Sequence, residues 1–403
     1  MRFFNKKTVK EITVEGRRVI HRVALDVPLK PGPKGWEVVE DLRIRRVLPT
    51  LNYLLEKRCR VVMMSYLGRP EGVEEDKRLD PVAERLSLMV GQPVRKLSDC
   101  VGREVEAAVR AMRAGEIVML ENTRFHREEY EEDEEFSRRL AKLGEVFVQD
   151  AFAQCHRRHA SVTGVARFLP AVAGLGLVEE IESLSRVREE FERPLVVVIG
   201  GGKVGDKARV IGEFLKKADW VLVGGAVANV FLQAKGVAVG RSKVGDELGG
   251  EGLVEEVKGF LESERLVLPV DLVATDNWQR IGDVEVIEIG KRKIPDEWMF
   301  VDIGPETAER FSRLIEKAKT VFWSGPMGVF EKGVFARGSW AVAEAMGRCQ
   351  GFTVVSGGDT IEAVGEWGDL GVFSYVSAGG GASLKFLAGE ELPGVAVLEE
   401  REE

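Results

Sequence analysis

The segment LVVVIGGGKVGDK, Leu195 to Lys207, carries the pattern that decides the fold. Five apolar residues, four of them β-branched, run without alternation and stop at three glycines. Such a run, bounded by glycine, is a strand covered by helices on both faces of a parallel sheet. The glycines let backbone approach a phosphate, the helix that follows offers N–H groups, and Lys203 and Lys207, four residues apart, share one of its faces.

Working outward, β-rich runs recur at Arg18–Val27, Arg60–Ser65, Ile117–Leu120 and Val146–Gln149, and again at Trp220–Val223, Leu266–Val270, Val321–Ser324 and Thr353–Ser356. Each leads through a Gly-, Asp- or Arg-bearing loop into a helical pattern, which implies parallel βαβ units and an α/β fold. Between the halves, LVEEIESLSRVREEFE (Leu177–Glu192) places Leu177, Ile181, Leu184, Val187 and Phe191 on one helical stripe. One helix therefore joins two α/β domains, ending before Pro194. A length of 403 residues suits two domains.

The net charge of −8 argues against a nucleic-acid coat, but it is unevenly divided. Residues 1–200 carry 35 basic and 33 acidic side chains, net +2, whereas 201–403 carry 23 and 33, net −10. The run EEYEEDEE, Glu128–Glu135, reads as a solvated loop or the first turn of a helix at Phe136–Leu143. Met1–Lys10 is polar, and the longest apolar run, Trp220–Leu232, is interrupted by Asn229 and shorter than the ~20 residues of a membrane span, so a soluble cytoplasmic protein is expected. Cys59, Cys100, Cys155 and Cys349 are scattered, which suits buried free thiols and no structural zinc.

In parallel sheets, ligands bind beyond the carboxyl ends of the strands. In the first half those ends carry Arg69 (SYLGRP), Arg124 (ENTRF) and Arg157 (DAFAQCHRRH), with Arg43 early in a helix. Convergent guanidinium forks imply a small, multiply anionic substrate. In the second half, GGGKVGDK is joined by SGPMGVFE (Ser324–Glu331), SGGDT (Ser356–Thr360) and SAGGGAS (Ser377–Ser383). Glycine turns with one acid, Asp359, suit nucleotide phosphates and magnesium, which one carboxylate plus phosphates can hold. Gly200, Gly202 and Gly205 also match a dinucleotide fingerprint, but the next strand ends in Gly224 and Gly225 rather than the acid a ribose needs. His156 and His159 read as capping or packing residues, and His21 and His126 as structural.

Collinear blocks, RVxxxVPL (Arg22–Leu29), SYLGRP, ENTRFH, DAFxxxHRxH, GGGKVGDK, PVD (Pro269–Asp271), GPMGVFE, GGDT and GGGASLxFLxGxELPGV (Gly379–Val395), resemble those of phosphoglycerate kinases. The resemblance implies two Rossmann-like, three-layer parallel-sheet domains joined by a helix. It places a triose-binding domain at 1–176, the joining helix at 177–192, a nucleotide domain at 193–383, and a segment 384–403 returning to the first domain. It further implies reversible transfer of a phosphoryl group between 1,3-bisphosphoglycerate and ADP, with Mg2+, on domain closure by a cytoplasmic monomer that needs no nucleic acid or membrane.

Carried over by position, Arg43, Arg69, Arg124 and Arg157 would bind the triose. Lys203 would follow the transferred group, with Gly380 and Gly381 receiving it. Gly201, Gly202, Lys207, Gly225, Ser324, Pro326, Glu331, Gly357, Gly358 and Thr360 would hold the nucleotide, and Asp359 the magnesium. Four positions depart from the family pattern: Ala24 stands for aspartate, Asp26 for asparagine, Tyr66 for histidine and Ser324 for asparagine. Asp26 is expected to bind the substrate hydroxyl in place of the aspartate that Ala24 replaces, and Tyr66 to donate to the phosphate. Two other readings use the same residues: a diverged relative acting on another small carboxylate, and a catalytically weak nucleotide-binding protein.

Overall fold

The computed structural model describes residues 4–33, 35–244 and 250–402. They form two compact units, one comprising 4–182 with 391–402 and the other 183–390. In the first unit, β1 (Arg18–Arg22) is followed by a hairpin of β2 (Leu29–Gly32) and β3 (Gly35–Val38). Then come β4 (Arg60–Met64), β5 (Val94–Lys96), β6 (Ile117–Met119), β7 (Val146–Gln149) and β8 (Ala171–Ala173). Apart from the hairpin they form one sheet in the order β5-β6-β4-β1-β7-β8, with every pairing parallel. Strand order reverses about β1, so the crevice at the carboxyl ends of β1 and β7 is where a ligand is favoured.

The second unit repeats the plan. Its parallel sheet contains β9 (Leu195–Ile199), β10 (Trp220–Val223) and β11 (Leu266–Val267). Between these and the rest lie β12 (Asp271–Thr275), β13 (Val284–Glu288) and β14 (Met299–Ile303), a separate antiparallel sheet ordered β13-β12-β14. The parallel sheet resumes with β15 (Thr320–Ser324), β16 (Phe352–Ser356) and β17 (Tyr375–Ser377), giving the order β11-β10-β9-β15-β16-β17. All of β9 is buried, as its unalternating sequence requires. The reversal here falls between β9 and β15.

Several expectations are corrected. The run expected at Leu266–Val270 divides, because after Val267 the chain leaves the parallel sheet for the antiparallel one. There Asp271 accepts N–H bonds from Glu306 and Thr307, at 3.1 and 2.8 Å, capping the helix Pro305–Glu316. The joining helix spans Leu175–Arg188 rather than 177–192; the N–H groups of Glu189 and Glu190 both turn onto the Ser185 carbonyl and end it. Residues 384–390 remain with the second unit, because the helix Gly381–Leu387 packs on the helix Gly205–Leu215, so the segment belonging to the first unit starts at 391 rather than 384.

The acid run is not simply solvated. Glu129 is fully buried, accepting the Ser161 N–H at 2.9 Å and its hydroxyl at 2.5 Å. Glu132 accepts from the Thr163 hydroxyl at 2.5 Å, and Asp133 caps the helix Glu134–Ala141 through the Phe136 N–H at 2.7 Å. Glu129→Ala should therefore cost about 3 kcal/mol in urea unfolding, since it orphans buried donors. Exposed Glu128→Ala should stay within ~0.5 kcal/mol. Equal effects would return the run to a solvent role.

Candidate active site

At the carboxyl end of the first sheet, five arginines gather about one tyrosine. Arg22 is the last residue of β1 and fully buried; Arg124 lies in the turn after β6, Arg157 after β7, and Arg43 in the first turn of the helix Leu42–Glu56. Tyr66 and Arg69 lie in the loop after β4. Asn122 ties the Arg124 turn to this loop, accepting from the Arg124 N–H at 3.0 Å and donating to Leu67 O at 2.7 Å. The Arg124 guanidinium carbon stacks 3.6 Å from the Tyr66 ring centroid, and that of Arg22 lies 5.5 Å away. Arg69 is exposed, close enough for its charge to act on Arg157.

Electrostatically, this is a cluster of cations, Arg22 and Arg124 buried and Arg43 and Arg157 partly so, with few counter-charges among the described residues. Burial, then Arg124, lowers the Arg157 pKa; burial likewise lowers that of Arg22, opposed by Glu129. His159, 6 % exposed, is pushed down to about 3 by burial and by Arg124, Arg22 and Arg157, so its ring is neutral. Arg22 Nη2, Arg124 Nε and Arg157 Nε are buried without hydrogen-bond partners. Buried donors of this kind call for a polyanion.

The residues that depart from the family pattern already have partners. Asp26 Oδ1 accepts the Gly68 N–H at 2.8 Å, its Oδ2 lies 3.8 Å from Arg43 Nη1, and the same Nη1 donates to the Asp26 carbonyl. The Tyr66 hydroxyl accepts from Gln154 Nε2, and burial raises its pKa. His21 pairs with buried Asp150 at 3.0 Å. Asp99, Cys100 and His126 lie together, but the Cys100 thiol donates to Glu121 O at 2.9 Å and burial raises its pKa well above the usual value, which disfavours the thiolate a metal needs.

In the second unit, the loops after β9 and β15 interlock. The Gly200 N–H donates to Ser324 O at 3.0 Å and the Gly201 N–H to Pro326 O at 2.6 Å. Lys207, 7 % exposed, donates to Gly200 O, while Lys203 is exposed. The Thr360 hydroxyl accepts the Gly325 N–H at 2.7 Å, fastening the β15 loop to the helix Gly358–Trp367, which Gly357 precedes. Gly380, with φ +54°, precedes the helix Gly381–Leu387.

A cavity of about 440 Å³ opens beside these turns. It brings together Gly201, Gly202, Gly225, Pro326, Glu331 and Asp359 from the expected nucleotide set. Lys203, Lys207, Ser324, Gly357, Gly358, Thr360, Gly380 and Gly381 stand outside its lining. Leu272, Phe300 and Val301 of the antiparallel sheet complete an apolar wall suited to a base.

Sequence reasoning missed Arg22, Gln154, Asn229 and Asp302. Two left a signal, since Asn229, which lines the cavity, interrupts an apolar run and Asp302 sits inside the apolar strand β14. Asp302 lines the cavity and accepts N–H bonds from Ile303 and Gly338, both at 2.8 Å; burial nevertheless pushes its carboxyl up to about 8.

An arginine cluster with unpartnered buried donors on one α/β unit and a glycine-lined cavity on the other fit the class of two-substrate phosphotransferases. A family model described as phosphoglycerate kinase matches residues 9–390. The phosphoglycerate kinase of Moorella thermoacetica is 46% identical over 399 residues, covering 98% of this chain and 100% of that protein. The solved phosphoglycerate kinase from Pyrococcus horikoshii OT3 has TM-score 0.85 and 34% identity, covering 97% of this chain and 98% of that one. The one from Coxiella burnetii has TM-score 0.82 and 35% identity at the same coverage. The chain belongs to the phosphoglycerate kinase family.

Two residues of the second unit can be probed directly. Gly225 has φ +56°, and a Cβ there would meet Gly201 N at 2.5 Å and Pro326 O at 2.8 Å. Gly225→Ala should weaken ADP binding at least ~10-fold by calorimetry, as both the strain and the clash act on the cradle; unchanged affinity would remove Gly225 from it. The raised pKa of Asp302 makes its stabilising contribution full below about pH 4 and lost as pH rises through about 8. The Tm difference between wild type and Asp302→Asn should accordingly shift against wild type from pH 5 to pH 8; a constant difference would contradict it.

Proposed function

We propose that this chain catalyses reversible phosphoryl transfer between 1,3-bisphosphoglycerate and ADP, giving 3-phosphoglycerate and ATP. The observation that carries the reading is the set of unpartnered buried donors on Arg22, Arg124 and Arg157, the complement of a small polyanion. Arg43, Arg69, Arg124 and Arg157 hold the triose carboxylate and phosphate, and Arg22 supports them from β1. In this reading Asp26 keeps Arg43 in place and Tyr66 serves as the platform for Arg124, as their partners suggest.

In the direction of ATP use, a carboxylate oxygen of 3-phosphoglycerate attacks the γ-phosphorus as the bond to the ADP oxygen breaks. The attacking and leaving oxygens are both ionised, so no proton moves and no general base is needed. Catalysis is positioning and charge neutralisation: Arg43 and Lys203 at the equatorial oxygens, Lys207 at the nucleotide phosphates, and the Gly380 and Gly381 N–H groups on the group in flight. Asp359, exposed in the first turn of its helix and lining the cavity, is a single hard oxygen donor of the kind magnesium accepts when phosphates fill the rest of its shell. Bound there, Mg2+ supplies neutralisation of the nucleotide's charge.

Among the described residues no helix is long and apolar enough to cross a membrane. The proposal is of a cytoplasmic monomer acting on small molecules, without nucleic acid.

A coupled assay with 3-phosphoglycerate and ATP tests the activity, and a panel of other small carboxylates tests its substrate. Turnover confined to another acid would overturn the proposal. Lys203→Ala should lower kcat ~100-fold or more, the scale of losing one transition-state donor; a change under about three-fold would remove Lys203 from that role. Arg124→Lys, which loses both fork and stacking, should raise the KM for 3-phosphoglycerate at least ~10-fold and leave the KM for ATP unchanged. Parallel rises in both constants would contradict the assignment.

A further inference from the structure

The side chains about Tyr66 are nearly all donors, and most of the acceptors among them are taken. Asp26 Oδ1 serves Gly68 while its Oδ2 faces Arg43 Nη1 at 3.8 Å as an ion pair, Glu129 serves Ser161, and the Tyr66 hydroxyl serves Gln154. His159 Nδ1 lacks a hydrogen bond but lies 3.7 Å from Glu129 Oε1, a neighbour that suits an N–H there rather than an acceptor. Gln154 Oε1 differs from these in being a buried carbonyl oxygen, able only to accept. The residue is 5 % exposed, yet this oxygen has no hydrogen-bond partner.

Its orientation is not arbitrary. Gln154 Nε2 donates to Ala153 O at 3.1 Å and also to the Tyr66 hydroxyl. A carbonyl oxygen can only accept, so the atom facing it must be the amide nitrogen, and the unpartnered atom must be oxygen. Gln154 closes the turn Phe152–Gln154 directly beyond β7, at the crevice where the strand order reverses. It therefore stands beside Tyr66, in the arginine cluster, as an acceptor with no hydrogen-bond partner among the described residues.

We infer that Gln154 is a specificity-determining residue of the triose site, its Oε1 accepting the hydroxyl that the substrate carries between its two anionic ends. The inference rests on the proposed phosphoglycerate substrate. That molecule, ionised at carboxylate and phosphate, has a single O–H to donate, at C2. The arginines bind both charged ends whether or not the hydroxyl is present, so they cannot recognise it; Gln154 can. The role expected of Asp26 passes to a residue in a different loop, and Tyr66 acquires a second task, since its hydroxyl fixes the amide that reads the substrate.

The test compares kcat/KM for 3-phosphoglycerate with that for 3-phosphonooxypropanoate, the analogue lacking the C2 hydroxyl. An acceptor left unpaired by the analogue should make wild type prefer the hydroxylated substrate by about 10- to 100-fold. Gln154→Met, of similar shape and without the acceptor, should bring the ratio within about three-fold, mainly through the KM for 3-phosphoglycerate, and leave the KM for ATP unchanged. If Gln154→Met does not fold, Gln154→Asn draws the oxygen back by one methylene and should lower the preference likewise. A wild-type ratio near one, or a ratio unmoved by either substitution, overturns the inference. Absence of turnover with 3-phosphoglycerate in wild type would instead overturn the proposed function.

Discussion

The first unit brings the guanidinium groups of Arg22, Arg124 and Arg157 to one crevice and buries most of each, and much else in that unit answers to this crowding of like charge. Repulsion in a low dielectric is expensive, and cations out of water need either counter-charges or a ligand. The structure supplies only part of the compensation. Glu129 sits behind Arg22, linked through the Ser161 hydroxyl, which accepts from Arg22 Nε at 2.9 Å and donates to Glu129. The Tyr66 ring face meets Arg124, and His159 stays neutral. What is left over is what the proposed function assigns to an anionic substrate.

The second unit builds its candidate site differently on the same plan. The sheets reverse strand order between β1 and β7 and between β9 and β15, and in both the candidate residues lie in the loops beyond the reversal. Where the first unit uses guanidinium forks, the second uses close-approaching backbone: the Gly200–Gly202 and Gly325–Pro326 turns are bonded to each other, and Lys207 is folded back onto Gly200. In the proposed reading, phosphate is met here by glycine-turn N–H groups with Lys203 and Lys207 rather than by guanidinium forks.

The central strands and their loops were readable because unalternating β-branched runs and glycine turns are local signals, and β9 with its GGGKVGDK loop shows this best. Short edge strands such as β5, β8 and β17, each three residues, carry too little pattern to be seen. The antiparallel β12-β13-β14 sheet escaped because its register depends on pairing across the chain. The arginines of the loops were legible by residue type and position. Arg22 was not, since inside β1 it reads as one more strand residue until its neighbours bury it. Glu129 was hidden by the acids around it, because composition averages what the fold distinguishes. Gln154 gave no signal at all; its significance lies in which of its amide atoms is left unpaired.

In the proposed reaction the two substrates are recognised on different units, the triose by the arginine crevice and the nucleotide by the glycine-lined cavity. Amide hydrogen exchange with each substrate alone tests this division most directly. With 3-phosphoglycerate, protection should rise at residues 22–26, 65–69, 122–126 and 152–159 and stay unchanged in the second unit's loops. With Mg-ATP it should rise at 200–207, 225–229, 325–331 and 357–360. Protection of the second set by 3-phosphoglycerate alone, or of the first by Mg-ATP alone, would contradict the division.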